Sequence, residues 1–239
     1  TQMHKVVSLL GNFRNISEPS NCVMSNELFW SANDMKPDNL TLRKKIIEQA
    51  TTVDIFVDLL EQKDIKVVKV IPLDSPCPHC GEFDRINMKN IKELIEHRGV
   101  EKVILLYRKD ILRQALSCCI SMKLNVWHGH ANIIRNSVIG KLDAEFFRHM
   151  LGSLKNHNKY VKVLSRMENC KLCEYDDLYN KNGRQEFYWR GISEFLCHEY
   201  NKETIADVNS KRYNGPETYS KIENLQELKD IYFDFRRHG

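Results

Sequence analysis

The chain has 239 residues, is 42% hydrophobic and 28% charged, and carries a formal net charge of +4. This length can bury a substantial core, and the composition is that of an ordinary globular protein. No apolar run approaches the roughly 18 residues that a membrane-spanning helix needs. So mild a net charge does not indicate nucleic-acid binding, which requires a clustered basic face.

Hydrophobic periodicity predicts helices and strands that alternate along the chain. This order implies crossover connections and an α/β fold with a central, mainly parallel sheet. No Gly-, Ser- or Pro-rich linker interrupts the chain, so we expect a single domain. In chain order we predict helices over residues 3–10, 42–60 (one or two), 87–98, 111–124, 142–167 (one, or two that meet near Gly152), 187–196 and 222–235. We predict strands over residues 65–71, 103–107 and 172–175. Residues 76–81 and 200–220 are predicted to be irregular.

The most informative segment is residues 102–117, which predicts a strand, a charged turn and a helix. Asp110 is a good N-cap for the helix. Arg108 follows the strand directly, and Ser117 lies on the helix. A strand that ends in an arginine and leads into a helix carrying a serine is one way to hold a phosphate. The alternative is an arginine that ends a strand and a serine on an exposed helix face.

Eight cysteines do not have the spacing of a small disulfide scaffold. Two Cys-x-x-Cys pairs occur, Cys77–Cys80 and Cys170–Cys173, and they leave three alternatives: a structural zinc site, a disulfide in the 77–80 loop, or free thiols. The compartment, cytoplasm or Golgi lumen, also stays open. The glycosylation sequons at Asn15 and Asn39 matter only in a lumen.

Four patches, in order, resemble the sulfotransferases that use 3′-phosphoadenosine 5′-phosphosulfate (PAPS) as donor. The resemblance implies a P-loop NTPase-like sulfotransferase fold, with roughly five central strands flanked by helices in one domain over residues 1–239. Some likeness is to the trehalose sulfotransferase branch. The patches are residues 7–13 with Asn26-Glu-Leu-Phe29, residues 67–71, residues 102–128, and Cys173-Glu-Tyr-Asp-Asp-Leu178, followed by residues 209–212 and 222–228.

The resemblance places the donor at the strand, turn and helix described above. Arg108 and Ser117 are expected to bind the 3′-phosphate of PAPS. Ser117 lies nine residues after Arg108, one more than is usual in the family, so Lys109 is an alternative or additional contact. Lys211 and Arg212 are expected over the donor nucleotide, or else form a solvated pair of charges.

A second departure from the family is that its phosphosulfate loop is missing from the sequence. We expect the first strand and this loop upstream of Thr1, which would be the last residue of the loop. The donor and its product, 3′-phosphoadenosine 5′-phosphate (PAP), require no metal, because cations and oriented amides suffice to stabilise the leaving oxygen.

Three residues are candidates for the chemistry of transfer to an acceptor hydroxyl, on a carbohydrate or a small alcohol. Glu27, beside an aromatic cluster, is the candidate general base, as the resemblance to the trehalose branch implies. Lys69 lies in an otherwise apolar strand, near its carboxyl end, and is suited to neutralise the bridging oxygen of the leaving group. His128 is a rival base or lines the acceptor pocket. Each of the three is otherwise explained as an ordinary solvated side chain.

Two other functions remain open at this point. A nucleotide kinase of related fold would carry a Gly-x-x-x-x-Gly-Lys-Ser/Thr loop, which this sequence lacks. A catalytically dead sulfotransferase-like module would keep the fold and bind without transferring. We expect no nucleic-acid partner and no transmembrane segment in this chain, and the sequence does not indicate an oligomeric state.

Overall fold

The computed structural model describes residues 15–17, 48–62, 67–69, 90–124, 134, 136–179, 185–203 and 216–238. The chain divides into two compact units, residues 1–103 with 189–209 and residues 104–188 with 210–239. The strands are β1 (Asn15–Ser17), β2 (Val67–Lys69), β3 (Val103–Tyr107) and β4 (Cys170–Glu174), and the helices are α1 (Val53–Glu61), α2 (Ile91–Glu96), α3 (Ile111–Leu124), α4 (Ala144–Leu164), α5 (Tyr175–Tyr179), α6 (Gln185–Phe195), α7 (Pro216–Tyr219) and α8 (Leu225–His238).

The predicted mixed α/β class is confirmed, and helices predominate. β1 and β2 pair in parallel, with residue 16 opposite residue 68, and β3 is hydrogen-bonded to β4. Within the described ranges the strands thus form two two-stranded sheets. A central parallel sheet of roughly five strands, the sulfotransferase fold and the single domain therefore stay predictions.

Most predicted elements are present, with shifted ends. β3 has the predicted bounds, whereas α2 is shorter than predicted, and residues 175–179 form the short helix α5. Two short elements, β1 and α7, were not predicted, because three or four residues carry too little periodicity. The predicted helix at 3–10 and the loop at 76–81 lie outside the described residues. No helix in the described part of the chain is long and apolar enough to cross a membrane.

In the first unit, α1 buries one face and begins at a capping threonine. The Thr52 hydroxyl accepts a hydrogen bond from the backbone N–H of Ile55, over 3.3 Å. Gly99, which follows α2, is required by a close approach. A Cβ there would lie 2.7 Å from Glu61 Oε1 and 2.9 Å from Val57 Cγ1. The sequence pattern placed this glycine correctly near a helix end, but contact with α1 is the reason for it.

The end of α6 is a Schellman motif built on a cysteine. His198 N donates to Ser193 O over 2.9 Å, and Cys197 N donates to Glu194 O over 3.0 Å. These bonds satisfy the last carbonyl groups of the helix. Cys197 adopts a φ of 57°, the left-handed region that favours glycine, although it carries a side chain. This position therefore contains backbone strain that a glycine would not have.

In the second unit, α3 and α8 pack against α4, and buried residues of all three helices form the core. α4 begins at Asp143, whose Oδ1 accepts hydrogen bonds from Glu145 N and Phe146 N. It then runs unbroken through Gly152, so the single-helix alternative is correct. One glycine weakens a helix by about 1 kcal/mol relative to alanine, and burial of Leu151 and Leu154 on either side offsets that cost.

A two-way amide contact sets where α8 begins. Asn224 Oδ1 accepts from Leu142 N over 2.9 Å, while Asn224 Nδ2 donates to Leu142 O over 3.0 Å. Beside this contact, Ile222 forms a parallel bridge with Gly140, whose φ is +65°. Ile222 is thus held in an isolated bridge, and residues 223–224 form a turn. For this reason α8 starts at Leu225 instead of the predicted residue 222.

We expect Cys197→Gly to stabilise the protein, because glycine adopts a positive φ without the clash that a Cβ makes. The free energy of unfolding in urea should rise by about 1 kcal/mol. Cys197→Ser keeps the Cβ and is the matched control, with a change near zero. An equal gain from both variants would show that the thiol, not the backbone, is the source of the strain.

Candidate functional site

The carboxyl ends of β3 and β4 lie side by side and bring charged side chains of both strands together. Lys109, in the turn after β3, donates its backbone N–H to Glu174 Oε1 over 3.4 Å. Its ammonium group lies 2.6 Å from Glu174 Oε2. Ligands of α/β proteins commonly bind outside the carboxyl ends of strands, so this edge is the natural place for a site.

Lys109 is committed to Glu174. The Glu174 side chain is 8% exposed, and burial of a carboxylate requires a partner of this kind. The hydrogen bond and the charge of Glu174 raise the pKa of the Lys109 ammonium above its ordinary value. The sequence suggested both Arg108 and Lys109 as residues that could bind an anion. Because Lys109 is already paired with Glu174, Arg108 is the better candidate for that role.

Arg108 is held from three sides. Its carbonyl oxygen accepts a hydrogen bond from Asn158 Nδ2, on α4, over 2.7 Å. Its guanidinium lies over the ring of Tyr175, 4.9 Å from the centroid. Nε lies 3.6 Å from Asp176 Oδ2, which is an ion pair but too long for a hydrogen bond. Nε is buried and has no hydrogen-bond partner among the described residues, so this donor of the guanidinium is unsatisfied.

The start of α3 completes this region. Asp110 caps the helix as predicted, since its Oδ1 accepts from Arg113 N over 2.9 Å. Its Oδ2 lies 3.1 Å from Arg113 Nε. Ser117 lies one turn beyond Arg113 on the same helix face and is half-buried. The sequence therefore placed Arg108 and Asp110 correctly in the turn after the strand, and Ser117 on the helix.

Tyr219, on α7, also belongs to this region. Its hydroxyl donates to Arg113 O over 3.4 Å. Burial raises the pKa of the Tyr219 phenol, and the nearby charges of Arg108 and Arg113 oppose that rise. The phenol thus stays protonated at neutral pH and keeps a hydroxyl close to the two arginines.

Two further buried atoms in this region have no hydrogen-bond partner, Gln114 Oε1 and Asn158 Oδ1. Gln114 lies one turn after the cap residue Asp110, and Asn158 already contacts Arg108. Unpaired buried polar atoms are costly, and their concentration near one turn is typical of a polar site. The arrangement is suited to a ligand with an anionic group and neighbouring hydroxyls.

Sequence reasoning missed Asn158, Tyr175 and Tyr219. Asn158 had a detectable signal, because it interrupts the apolar stripe of α4, where a polar residue needs a specific partner. Tyr175 and Tyr219 had none, since half-buried tyrosines are ordinary. Asp176, which lies in the patch 173–178, faces the guanidinium of Arg108.

The other predicted site residues cannot be compared with this geometry. Lys69 is the last residue of β2, at the carboxyl end of a strand as expected, but its side chain lies outside the described part of the structure. The remaining candidates, which are Thr1, Glu27, His128, Lys211 and Arg212, lie outside the described residues altogether.

Cysteines in the described ranges are free thiols. Cys170 and Cys173 are three residues apart on β4, so strand geometry directs them to opposite faces, where they cannot share a metal. No group of three or more possible metal ligands occurs among the described residues. Cys77 and Cys80 lie outside those ranges. For the 170–173 pair, free thiols are the correct alternative.

Comparisons with protein-family models, curated proteins and solved structures find no match to this chain.

We expect the buried thiols of Cys119 and Cys173 and the half-buried thiol of Cys118 to be unreactive in the native protein. Burial raises the pKa to about 11 for Cys118 and Cys173 and to about 12 for Cys119, from an ordinary 9.0. A rise of about two units lowers the thiolate population at pH 8 about a hundredfold. Peptide mapping after iodoacetamide treatment should show slow labelling of these cysteines in the native chain and fast labelling after unfolding.

Exposed Cys197 is the internal control and should label quickly in both states. The raised pKa values also set a pH dependence, because the folded thiols keep protons that unfolded thiols lose. Their stabilising contribution is complete below pH 9.0 and is lost as the pH rises toward 11 or 12. Rapid native labelling of Cys119 would contradict this account.

Proposed function

We propose that this chain is a PAPS-dependent sulfotransferase in which Arg108 binds the 3′-phosphate of the donor. The observation that carries the proposal is the environment of Arg108. The guanidinium lies at a strand end on an aromatic ring, with its backbone fixed and one buried nitrogen without a hydrogen-bond partner. An arginine presented in this way can form a planar, charge-assisted contact with a phosphate.

The reaction proposed is sulfonate transfer to a hydroxyl. A bond forms between the acceptor oxygen and sulfur, and the bond between sulfur and the bridging phosphate oxygen breaks, which releases PAP. The hydroxyl proton passes to a base, for which Glu27 is the sequence-based candidate. Arg108 and Ser117 would hold the donor in line, and positioning of this kind supplies much of the catalysis in such transfers.

The ion pair between Arg108 and Asp176 favours a second candidate function. If Asp176 is the permanent partner of Arg108, the turn is structural, and the chain is a binding module without transferase activity. The two candidates differ in what they predict for the affinity of PAP.

The first test is calorimetric titration with PAP. We expect the chain to bind PAP and Arg108→Ala to bind it about 10- to 100-fold more weakly, since a hydrogen-bonded charged contact contributes about 1.5–3 kcal/mol. Arg113→Ala removes the same charge from the same region and is the matched control, with a loss of no more than about threefold. Absence of binding by the unaltered chain, or equal losses in both variants, would refute the assignment.

The second test removes the charge that competes with the phosphate. In Asp176→Asn the guanidinium no longer faces a carboxylate at 3.6 Å. We expect PAP to bind about three- to tenfold more tightly, because the ligand no longer displaces an ion pair. Weaker binding would instead identify Asp176 as the group that holds Arg108 in position and would favour the structural alternative.

A further inference from the structure

Three buried polar atoms of the second unit have no hydrogen-bond partner among the described residues. They are Arg108 Nε, Gln114 Oε1 and Asn158 Oδ1. The arginine nitrogen is a donor, whereas the two amide oxygens are acceptors. Unpaired buried polar atoms are costly, so three of them in one region need an explanation. A ligand that supplies the missing partners is one explanation, and a buried water is the alternative.

The amide of Asn158 can have only one orientation. Its Nδ2 donates to Arg108 O over 2.7 Å. A rotation that exchanged the two amide atoms would place one carbonyl oxygen against another, and neither could donate. The Asn158 residue is 8% exposed. Its Oδ1 is therefore an acceptor held in a buried position beside the turn that carries Arg108.

Gln114 lies near the same guanidinium, on one face of α3. Its backbone N–H donates to Asp110 O over 3.1 Å, and Cys118 follows one turn later on that face. Burial raises the pKa of the Cys118 thiol to about 11, and the nearby charge of Arg108 opposes this rise. The guanidinium thus lies close to the face that carries Gln114. Because Gln114 is half-buried and its side chain is flexible, its amide can turn toward a ligand.

This group of atoms matches a phosphate ester that has a hydroxyl on the neighbouring carbon. The guanidinium of Arg108 is suited to phosphate oxygens. The two amide oxygens can only accept, and a phosphate dianion has no proton to offer them. A hydroxyl next to the phosphate supplies that proton. In PAP the 3′-phosphate and the 2′-hydroxyl are on adjacent ribose carbons.

We propose that Gln114 and Asn158 bind the ribose 2′-hydroxyl of the donor nucleotide, next to the 3′-phosphate on Arg108. This assignment rests on the proposed sulfotransferase function. The two amides then determine specificity, because a nucleotide without the hydroxyl leaves buried acceptors of the site unpaired. Asn158 has a positioning role in addition, since its other amide atom holds the backbone of Arg108.

The test compares two nucleotides, PAP and 2′-deoxyadenosine 3′,5′-bisphosphate, by calorimetric titration of two proteins. The unaltered chain should bind PAP about 3- to 10-fold more tightly, as expected for one neutral hydrogen bond. Gln114→Met removes the acceptor, keeps an unbranched side chain and should reduce that ratio to about twofold or less. Equal affinities in the unaltered chain would overturn the proposal and favour a buried water. A ratio that is unchanged in Gln114→Met would also overturn it.

The stability of the free protein separates ligand binding from packing. Removal of an unpaired buried acceptor should raise the free energy of unfolding or leave it unchanged. We therefore expect Gln114→Met to weaken PAP binding without destabilising the chain. A destabilised variant that loses the same affinity for both nucleotides would show that Gln114 only packs, which contradicts the proposal.

Ser193→Ala is the matched control. Ser193 Oγ is also buried and without a hydrogen-bond partner, but it belongs to α6 and to the first unit. This variant should keep or raise the stability and leave the affinity for both nucleotides unchanged. A fall in the nucleotide ratio equal to that of Gln114→Met would overturn the assignment.

Failure of this assignment and failure of the proposed function give different results. PAP binding that requires Arg108 but is unaffected by loss of the 2′-hydroxyl would refute the role of the two amides and leave the function supported. Absence of PAP binding by the unaltered chain would refute both.

Discussion

The hydrogen bond from Asn158 to the carbonyl oxygen of Arg108 is the contact on which the candidate site depends. A polar side chain that is 8% exposed on the apolar face of a helix is unfavourable unless it is paired. This pairing ties α4 to the turn after β3, and α4 also packs against α3 and β4. The position of the Arg108 backbone is thus set by the longest helix of its unit.

Around that backbone, the two cations of the turn meet two carboxylates at different distances. Lys109 contacts Glu174 at 2.6 Å, whereas Arg108 Nε stays 3.6 Å from Asp176. The close pair compensates the burial of Glu174 and leaves Lys109 little capacity for another anion. The loose pair leaves Arg108 able to exchange Asp176 for a ligand. Two carboxylates, Glu174 on β4 and Asp176 in the first turn of α5, thus distinguish between two adjacent basic residues.

Basic side chains of this protein are concentrated on one side of α4. A net charge of +4 over 239 residues suggests no charged face, yet α4 places four basic residues on one side of a single helix. Averages over a whole chain conceal such a pattern, because acidic residues elsewhere cancel it. The net charge of the whole chain therefore does not report this row of basic residues, and helical geometry is the reason.

Some features of this protein are local and follow from the sequence by itself. The bounds of β3, the Asp110 cap and the confirmed α/β class depend on periodicity and capping between near neighbours. Tertiary structure decided the others. The pairing of Lys109 with Glu174 joins residues 65 apart in the sequence, and the start of α8 depends on a contact across 82 residues. Pairings at such separations leave no periodic trace in a single sequence, because either partner looks ordinary until the fold brings the two together.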